Sequence, residues 1–440
     1  MSLLTESLRA REQTNDHINV ALVGAGSIGT SLVCQMERME GIRASAVCDL
    51  RIERATSALA AASGSGGDVV ATLDLKVAES ALNEGKRVAT TNALLLAQLT
   101  PIDVVMELTG SIELGARLAL EAILNHKHVV FLHSEVDITV GYLLRRMAEA
   151  AGVVYTVSAG HEHAATKELV DFARAMSLRV VAAGKGKNSP LDFDATPDSV
   201  ADSAARVPTT PRIQTGYVDG TNTMVEMTAL ANATGLVPDV SGMHGPTCTV
   251  QELARVFSLK SQGGLLNREG VVDYALGPVA PGVFAVVTTD CGPMIGDMRF
   301  HGMGPGPNWV LSRPYHLTHL EAPLSAARAV LFGEAALATT AKPVAETVVV
   351  AKRDLRAGEK LDYIGGFSFR GIIETADAAA ASRHLPVGLA EDTELTHDVA
   401  KGQPVTYDQV KLSRKSTVVQ LRVLQDQMLC TNMGCDSMST

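Results

Sequence analysis

Short apolar runs alternate with stretches of helical periodicity over the first third of the chain. Residues 18–23, 43–48, 87–90, 102–108, 128–132 and 153–157 are rich in aliphatic and β-branched side chains and too short for helices. Between them, apolar positions recur at helical spacing over 29–39, 53–62, 113–124 and 142–151. Strands alternating with helices predict an α/β fold, a doubly wound parallel sheet of the Rossmann kind, over residues 18–158. Residues 1–17 form an arm ahead of it, in which 3–11 has the pattern of a short amphipathic helix.

The first strand runs into Gly24-Ala25-Gly26-Ser27-Ile28-Gly29, and a helical pattern with Leu32, Val33 and Met36 leads out. Strand, tight turn and helix in this order make a dinucleotide site. Gly24 permits the turn, Gly26 lets the backbone approach a pyrophosphate, and Gly29 lets helix and strand pack closely, with Ser27 and Ile28 between them. Asp49 ends the second strand, where a carboxylate accepts hydrogen bonds from a ribose diol and repels a 2′-phosphate. That favours NAD. Arg51 and Arg54 follow closely, and an arginine there can cover the adenine or pair with a 2′-phosphate, so NADP stays open. Thr109, Gly110, Ser134 and Glu135 follow later strands and are expected to line the nicotinamide pocket; helix capping is the alternative for Thr109 and Ser134.

Beyond residue 157 the pattern changes. SAGHEHAATKELVDFARAM and GKGKNSPLDFDATPDSV mix charged and apolar residues as a site does, and TGYVDGTNTMVEMTALANATG has a strand-like composition. A substrate and catalytic domain is expected over 159–340, with 313–335 packing back on the nucleotide domain and the piece from Arg313 to Phe332 ending as a helix. Residues 342–412 are Val-rich and turn-rich, giving a small β-rich domain over 341–427 and a flexible tail over 428–440.

Composition narrows the function. The 440 residues carry a net charge of −10 and no polybasic block, which argues against nucleic acid or an anionic membrane as partner. No apolar run reaches the ~20 residues of a membrane span, and the N-terminus lacks the apolar core of a secretory signal, so a cytoplasmic location is expected. The six cysteines, Cys34, Cys48, Cys248, Cys291, Cys430 and Cys435, include no Cys-x-x-Cys, and reduced thiols are the default.

GKGKNSPLDFDATPD, MVEM, ANATGLVPD, GMHGP, GVVDYALG and RPYHLTHLEAPL resemble stretches of the 1-deoxy-D-xylulose 5-phosphate reductoisomerase-like enzymes. That family is related to homoserine dehydrogenase and carries an appended SAF domain. The resemblance runs from the glycine turn to about Gln427. VVVAKRDLRAGEKL and LPVGLAEDTELTHDVAKGQPVTY resemble the two pieces of the SAF module of sialic acid synthases, antifreeze proteins and flagellar chaperones. The resemblance implies an NAD(P)-dependent oxidoreductase acting on a small anionic hydroxy or keto sugar derivative, a sugar acid or sugar phosphate, with coupled isomerisation. It also implies a homo-oligomer. A homoserine-type dehydrogenase without rearrangement and a non-catalytic cofactor-bound sensor or scaffold remain as alternatives. Glu135 stands where homoserine dehydrogenases carry a lysine, so a catalytic lysine must lie elsewhere.

Hydride transfer to or from a secondary alcohol needs a group that exchanges the hydroxyl proton near neutral pH. Lys185 and Lys187 stand at i and i+2 in a Gly-rich loop, and a desolvated lysine beside a like charge has its pKa lowered. Both could instead neutralise a substrate anion. Asn188 is a candidate for orienting a carbonyl. Asp192 and Asp194, at strand spacing, could face one side and, with Glu135 and Glu162, hold a divalent cation. The His161-Glu162-His163 run is an alternative metal site if extended, but no metal set is defined by the spacing. Arg313, Tyr315 and His316 offer bidentate, hydroxyl and imidazole donors to an anionic group. Asn232, Thr234 and His244-Gly245-Pro246 are weaker candidates for the same pocket.

Overall fold

Seven strands form one parallel sheet in the order β3-β4-β2-β1-β5-β6-β7: β1 Ile18–Val23, β2 Ile42–Cys48, β3 Val69–Ala71, β4 Arg87–Thr90, β5 Val104–Glu107, β6 His128–Phe131 and β7 Tyr155–Val157. This computed structural model describes residues 2–63, 68–189, 191–207 and 209–431. The chain leaves β1 toward β2 on one side and returns to β5 on the other, which places the topological switch point between β1 and β5. The doubly wound sheet read from the periodicity is therefore present. Strand β3 and the helices Leu75–Asn83 and Ala93–Gln98 had no counterpart in that reading. β3 has three residues, none buried, and so offers little apolar pattern.

Contacts divide the chain into two units. The first takes the described residues up to Val136, together with Val140–His161 and Leu317–Ala338. Its core lies between the sheet and flanking helices: Ile18, Val20, Leu22, Val104 and Met106 meet Leu32, Met36, Leu59 and, from the helix Thr318–Phe332, Ala322, Ala326 and Ala327. That late helix is fastened by Ser325, whose hydroxyl accepts the Ala159 N–H at 2.7 Å, and the following segment by Leu337, whose carbonyl accepts the Val157 N–H at 2.7 Å.

The second unit takes Asp137–Thr139, Glu162–His316 and the described residues from Thr339 on. Its five-stranded mixed sheet has the order β12-β11-β8-β10-β9, with β8 Arg179–Lys187, β9 Val237–Pro238, β10 Val271–Leu276, β11 Val283–Thr288 and β12 Asn308–Arg313. β8 pairs parallel to β10 and antiparallel to β11. The strand-like TGYVDGTNTMVEMTALANATG is instead two helices, Pro211–Val218 and Thr221–Thr234. Threonine and valine suggest strand by propensity, but every residue of Thr221–Thr234 except Asn222 and Glu226 is buried, and a helix enclosed on all sides needs no polar face.

The C-terminal part pairs β13 Ala345–Ala351 with β14 Phe369–Thr375 antiparallel. The Asn232 side chain accepts the Val344 and Ala345 N–H groups at 2.8 and 3.0 Å and donates to the Ala345 carbonyl, so it anchors β13 rather than lining a pocket. Such bonds contribute about 1 kcal/mol each. Thr234 is also spent locally, on the Leu230 carbonyl. Helix Thr417–Thr431 runs past residue 427, so 428–431 are helical where a flexible tail was expected. The remainder of that expected tail, with Cys435, lies outside the described residues.

Candidate functional site

In the first unit the glycine turn has the geometry a dinucleotide requires. Gly24 has φ +112°, and its N–H donates to the Cys48 carbonyl at 2.8 Å. A Cβ on Gly29 would lie 2.0 Å from the Gly24 carbonyl oxygen, so only glycine allows the helix Ser27–Met36 this close to β1. Gly26 has open space in front of it and no side chain caps that helix, leaving the N–H groups of its first turn for an anion. Gly26, Ser27 and Ile28 are exposed. The residues fit a dinucleotide. Asp49 accepts the Ala25 and Arg51 N–H groups, each at 3.0 Å, and so holds the turn itself. Arg51 and Arg54 line a cleft of about 610 Å³ with Ala25, Thr30 and Ser57.

At the carboxyl ends of β5 and β6 lies a charged trio, with Glu107 buried and His133 and Glu135 partly buried. His133 bonds Glu107 through Nε2 and Glu135 through Nδ1, the latter at 3.2 Å. Burial opposes the imidazolium, but the two carboxylates outweigh it and raise the His133 pKa to about 10. Burial alone would raise Glu135; bonds from His133 and from the N–H groups at the start of helix Glu135–Ala151 lower it instead. Glu135 is thus held as an anion and is no proton donor near neutrality. Thr109 donates its N–H and hydroxyl to Glu107, while the cap of the next helix is Ser111. Gly110, at φ +71°, leaves open space beside Thr109.

The second unit builds a different cluster at the end of β8. In Gly184-Lys185-Gly186-Lys187, the two lysines share a face and both are buried. The glycines serve close approach on the opposite face, since a Cβ on Gly184 would lie 1.6 Å from the Asp273 carbonyl oxygen. Lys185 Nζ bonds Glu162 at 2.5 Å and also Glu226. Glu162 starts helix Glu162–Ala175, and Glu226 comes from the middle of Thr221–Thr234. Burial opposes the charge on Lys185, but the two carboxylates prevail and hold it cationic, the reverse of the lowered pKa expected from a neighbouring lysine. Lys187 is the one lowered, to about 8, by burial first and by Lys185 second. Burial raises Glu226 to about 7; Lys185 opposes this and Glu162 adds to it.

His316 joins this group, with Nε2 4.0 Å from Glu162 and Nδ1 on the Pro281 carbonyl at 2.9 Å. Arg313 pairs with Glu168 at 3.3 Å and lies over the Tyr315 ring, so neither is gathered with Lys185. Asn188 is exposed just beyond β8. Asp192 and Asp194 do not stand side by side on a strand: Asp192 accepts the Asp194 N–H in a turn, and Asp194 pairs with Lys401 at 2.7 Å. The carboxylates suggested for a cation are thus occupied elsewhere, Glu162 on Lys185 and Glu135 on His133. Among the described residues no group of three or more His, Cys, Asp or Glu is gathered to hold a metal. His163 is buried within a helix rather than extended beside His161. His244 lies between Asp273, at 2.8 Å, and Asp239, at 3.4 Å, and so ties its own loop to β10. Glu226 was absent from the sequence candidates. Its signal is a lone carboxylate inside the apolar run Met224–Ala233.

Residues 160–322 match the family model described as oxidoreductase DRL, catalytic domain. This segment carries Glu162, Lys185, Lys187, Glu226 and His316. With the dinucleotide turn of the first unit, it makes the chain an NAD(P)-dependent oxidoreductase. No curated protein matches the chain. Solved structures similar to it include a probable dehydrogenase from Thermotoga maritima, 13% identical over 72% of this chain and 90% of that one with a TM-score of 0.40. A myo-inositol dehydrogenase from Corynebacterium glutamicum is 10% identical over 74% of this chain and 91% of that one, TM-score 0.41. Likenesses at this level carry no functional argument. No helix among the described residues is long and apolar enough to cross a membrane.

Proposed function

We propose that the enzyme interconverts a hydroxyl and a carbonyl on a small anionic sugar derivative, a sugar acid or sugar phosphate, with Glu226 as the proton-exchanging group. The observation that carries this is the Lys185 bridge between Glu162 and Glu226. A carboxylate with a pKa brought to about 7 is matched to proton exchange at neutral pH, whereas Lys185 is too firmly charged to release its proton. Lys185 instead stabilises negative charge as it develops on the reacting oxygen. In the oxidative direction the substrate hydroxyl gives its proton to Glu226, and the ketone oxygen keeps the lysine as its partner. Glycine-turn N–H groups, with Arg51 and Arg54 beside Asp49, would hold NAD or NADP, which supplies or removes the hydride. The acidic Asp49 supports NAD, and the two arginines support NADP.

The test is a panel of sugar acids and sugar phosphates followed by reduced-nicotinamide absorbance with each cofactor. Coupled isomerisation enters the same panel as 1-deoxy-D-xylulose 5-phosphate, with and without a divalent cation. Glu226→Gln is expected to lower kcat by about 100-fold or more in the oxidative direction. The wild-type rate should rise with pH through about 7, as Glu226 loses its proton, and the variant should lack that limb. Undiminished turnover in Glu226→Gln rejects its role.

A further inference from the structure

The loop joining helices Pro211–Val218 and Thr221–Thr234 gathers basic side chains from three places in the second unit. Lys187, from β8, donates to the Tyr217 carbonyl at 2.6 Å. Lys352, just after β13, pairs with Asp219 at 2.7 Å and also donates to the Ala195 and Gly366 carbonyls. On β14 Arg370 lies over the Phe193 ring, and the Asp192 N–H beside that ring donates to the Val218 carbonyl at 2.9 Å, where the same loop begins.

These three cations differ in what neutralises them. Lys352 is buried with Asp219 as counter-ion and two carbonyls on its other protons. Among the described residues Lys187 donates to neutral oxygens, Ser189 Oγ and the Tyr217 carbonyl, and Glu226 and Asp219 act on it at longer range without bonding it. Arg370 lies over the Phe193 ring, 4.2 Å from its centroid; Asp219 and Asp194 act on it only at longer range, and its buried Nη1 has no hydrogen-bond partner among the described residues. A guanidinium stacked on an aromatic face, with donors left over, is arranged for bidentate contact with a planar or tetrahedral oxyanion. Phe193 is 44% exposed, so the stack is open to solvent.

We propose that Arg370 and Lys187 form a subsite for a small oxyanion, the carboxylate or phosphate of the substrate, so that the C-terminal β-rich part contributes directly to binding. This rests on the reading of the substrate as an anion. It replaces Arg313, which is already paired, as the arginine that meets the substrate. Burial disfavours charge on Lys187, and an arriving anion offsets that cost, so binding and its ionisation reinforce each other.

The test is calorimetric titration of the full chain with inorganic phosphate and, separately, with malonate. A response to one but not the other tells phosphate from carboxylate. Arg370→Gln is expected to weaken binding at least tenfold and Arg370→Lys to recover part of it, while Arg383→Gln, at the exposed pair with Asp408, has no effect. Anion uptake at the glycine turn is common to all these proteins and cancels in the comparison. Should Arg370→Gln fail to fold, Lys187→Gln takes its place with the same expected loss. Equal affinity for both anions in wild type and Arg370→Gln, or no binding to wild type, overturns the proposal. No turnover is needed, so anion binding through Arg370 in a protein inactive on the whole panel rejects the proposed reaction alone. Turnover with unchanged KM in Arg370→Gln rejects the subsite alone.

Discussion

Lys187→Met should change how stability depends on pH, in a direction set by where Lys187 sits. Burial and the neighbouring Lys185 bring its pKa from 10.5 to about 8. A lysine with a lowered pKa binds its proton less well folded than unfolded, so it costs stability wherever both states are protonated. At about 1.4 kcal/mol for each tenfold change in proton affinity, that cost is roughly 3 kcal/mol at pH 7. As pH rises through about 8 the folded form sheds the proton while the unfolded form keeps it, and the cost shrinks by about 2 kcal/mol by pH 9.5. Wild type should therefore gain on Lys187→Met by about that amount between pH 7 and pH 9.5. Trp309 is the only tryptophan, fully buried on β12 in the same unit, so its fluorescence during guanidinium unfolding reports the relevant transition. Titrating groups outside the cluster around Lys187 are shared by both proteins and cancel. A stability difference that stays constant across this pH range would refute the account.

Two further outcomes concern the scaffold. Gly29→Ala places a Cβ 2.0 Å from the Gly24 carbonyl oxygen, so it should cost about 1–3 kcal/mol and weaken cofactor binding more than tenfold, read by thermal unfolding and by reduced-nicotinamide fluorescence titration. Lys352→Met strands the buried Asp219 charge and should cost about 3–5 kcal/mol in Trp309-monitored unfolding, with more than half recovered when Asp219→Asn is added, because the amide oxygen still accepts the Thr221 N–H.

The first unit was legible because its strands and helices advertise themselves locally. β1 and β4 end where the apolar runs end, and Gly24 and Gly29 of the turn each have a distinct steric reason visible at short range. Thr221–Thr234 was misread because local propensity spoke for strand while burial on every side decided for helix. GKGK announced a site, yet Lys185 and Lys187 differ chiefly through partners remote in sequence, Glu162 and Glu226 around one and Tyr217, beside the nearby Ser189, around the other. Glu226 sits in MVEM, a stretch that carried the family resemblance, but a single acid in a Thr- and Met-rich run does not name its partner. Asp192 and Asp194 show the opposite error: their spacing suggested a shared face, and an Asp side chain closing a turn on its own backbone removed the strand that spacing assumed. Arg370 and Lys352 had no local signature at all, because their partners at 193 and 219 become neighbours only through the fold.

The return of the chain to its first unit has a consequence for biogenesis. Thr156 at the edge of the parallel sheet bonds Leu337, 181 residues later. At roughly 5–20 residues per second, a ribosome needs about 10–40 s to deliver that partner. During this interval the apolar surface destined for Ala322, Ala326 and Ala327 waits uncovered while the whole intervening segment is made. A nascent chain whose emerged part ends before residue 317 should thus recruit chaperones that one whose emerged part extends past residue 338 no longer needs.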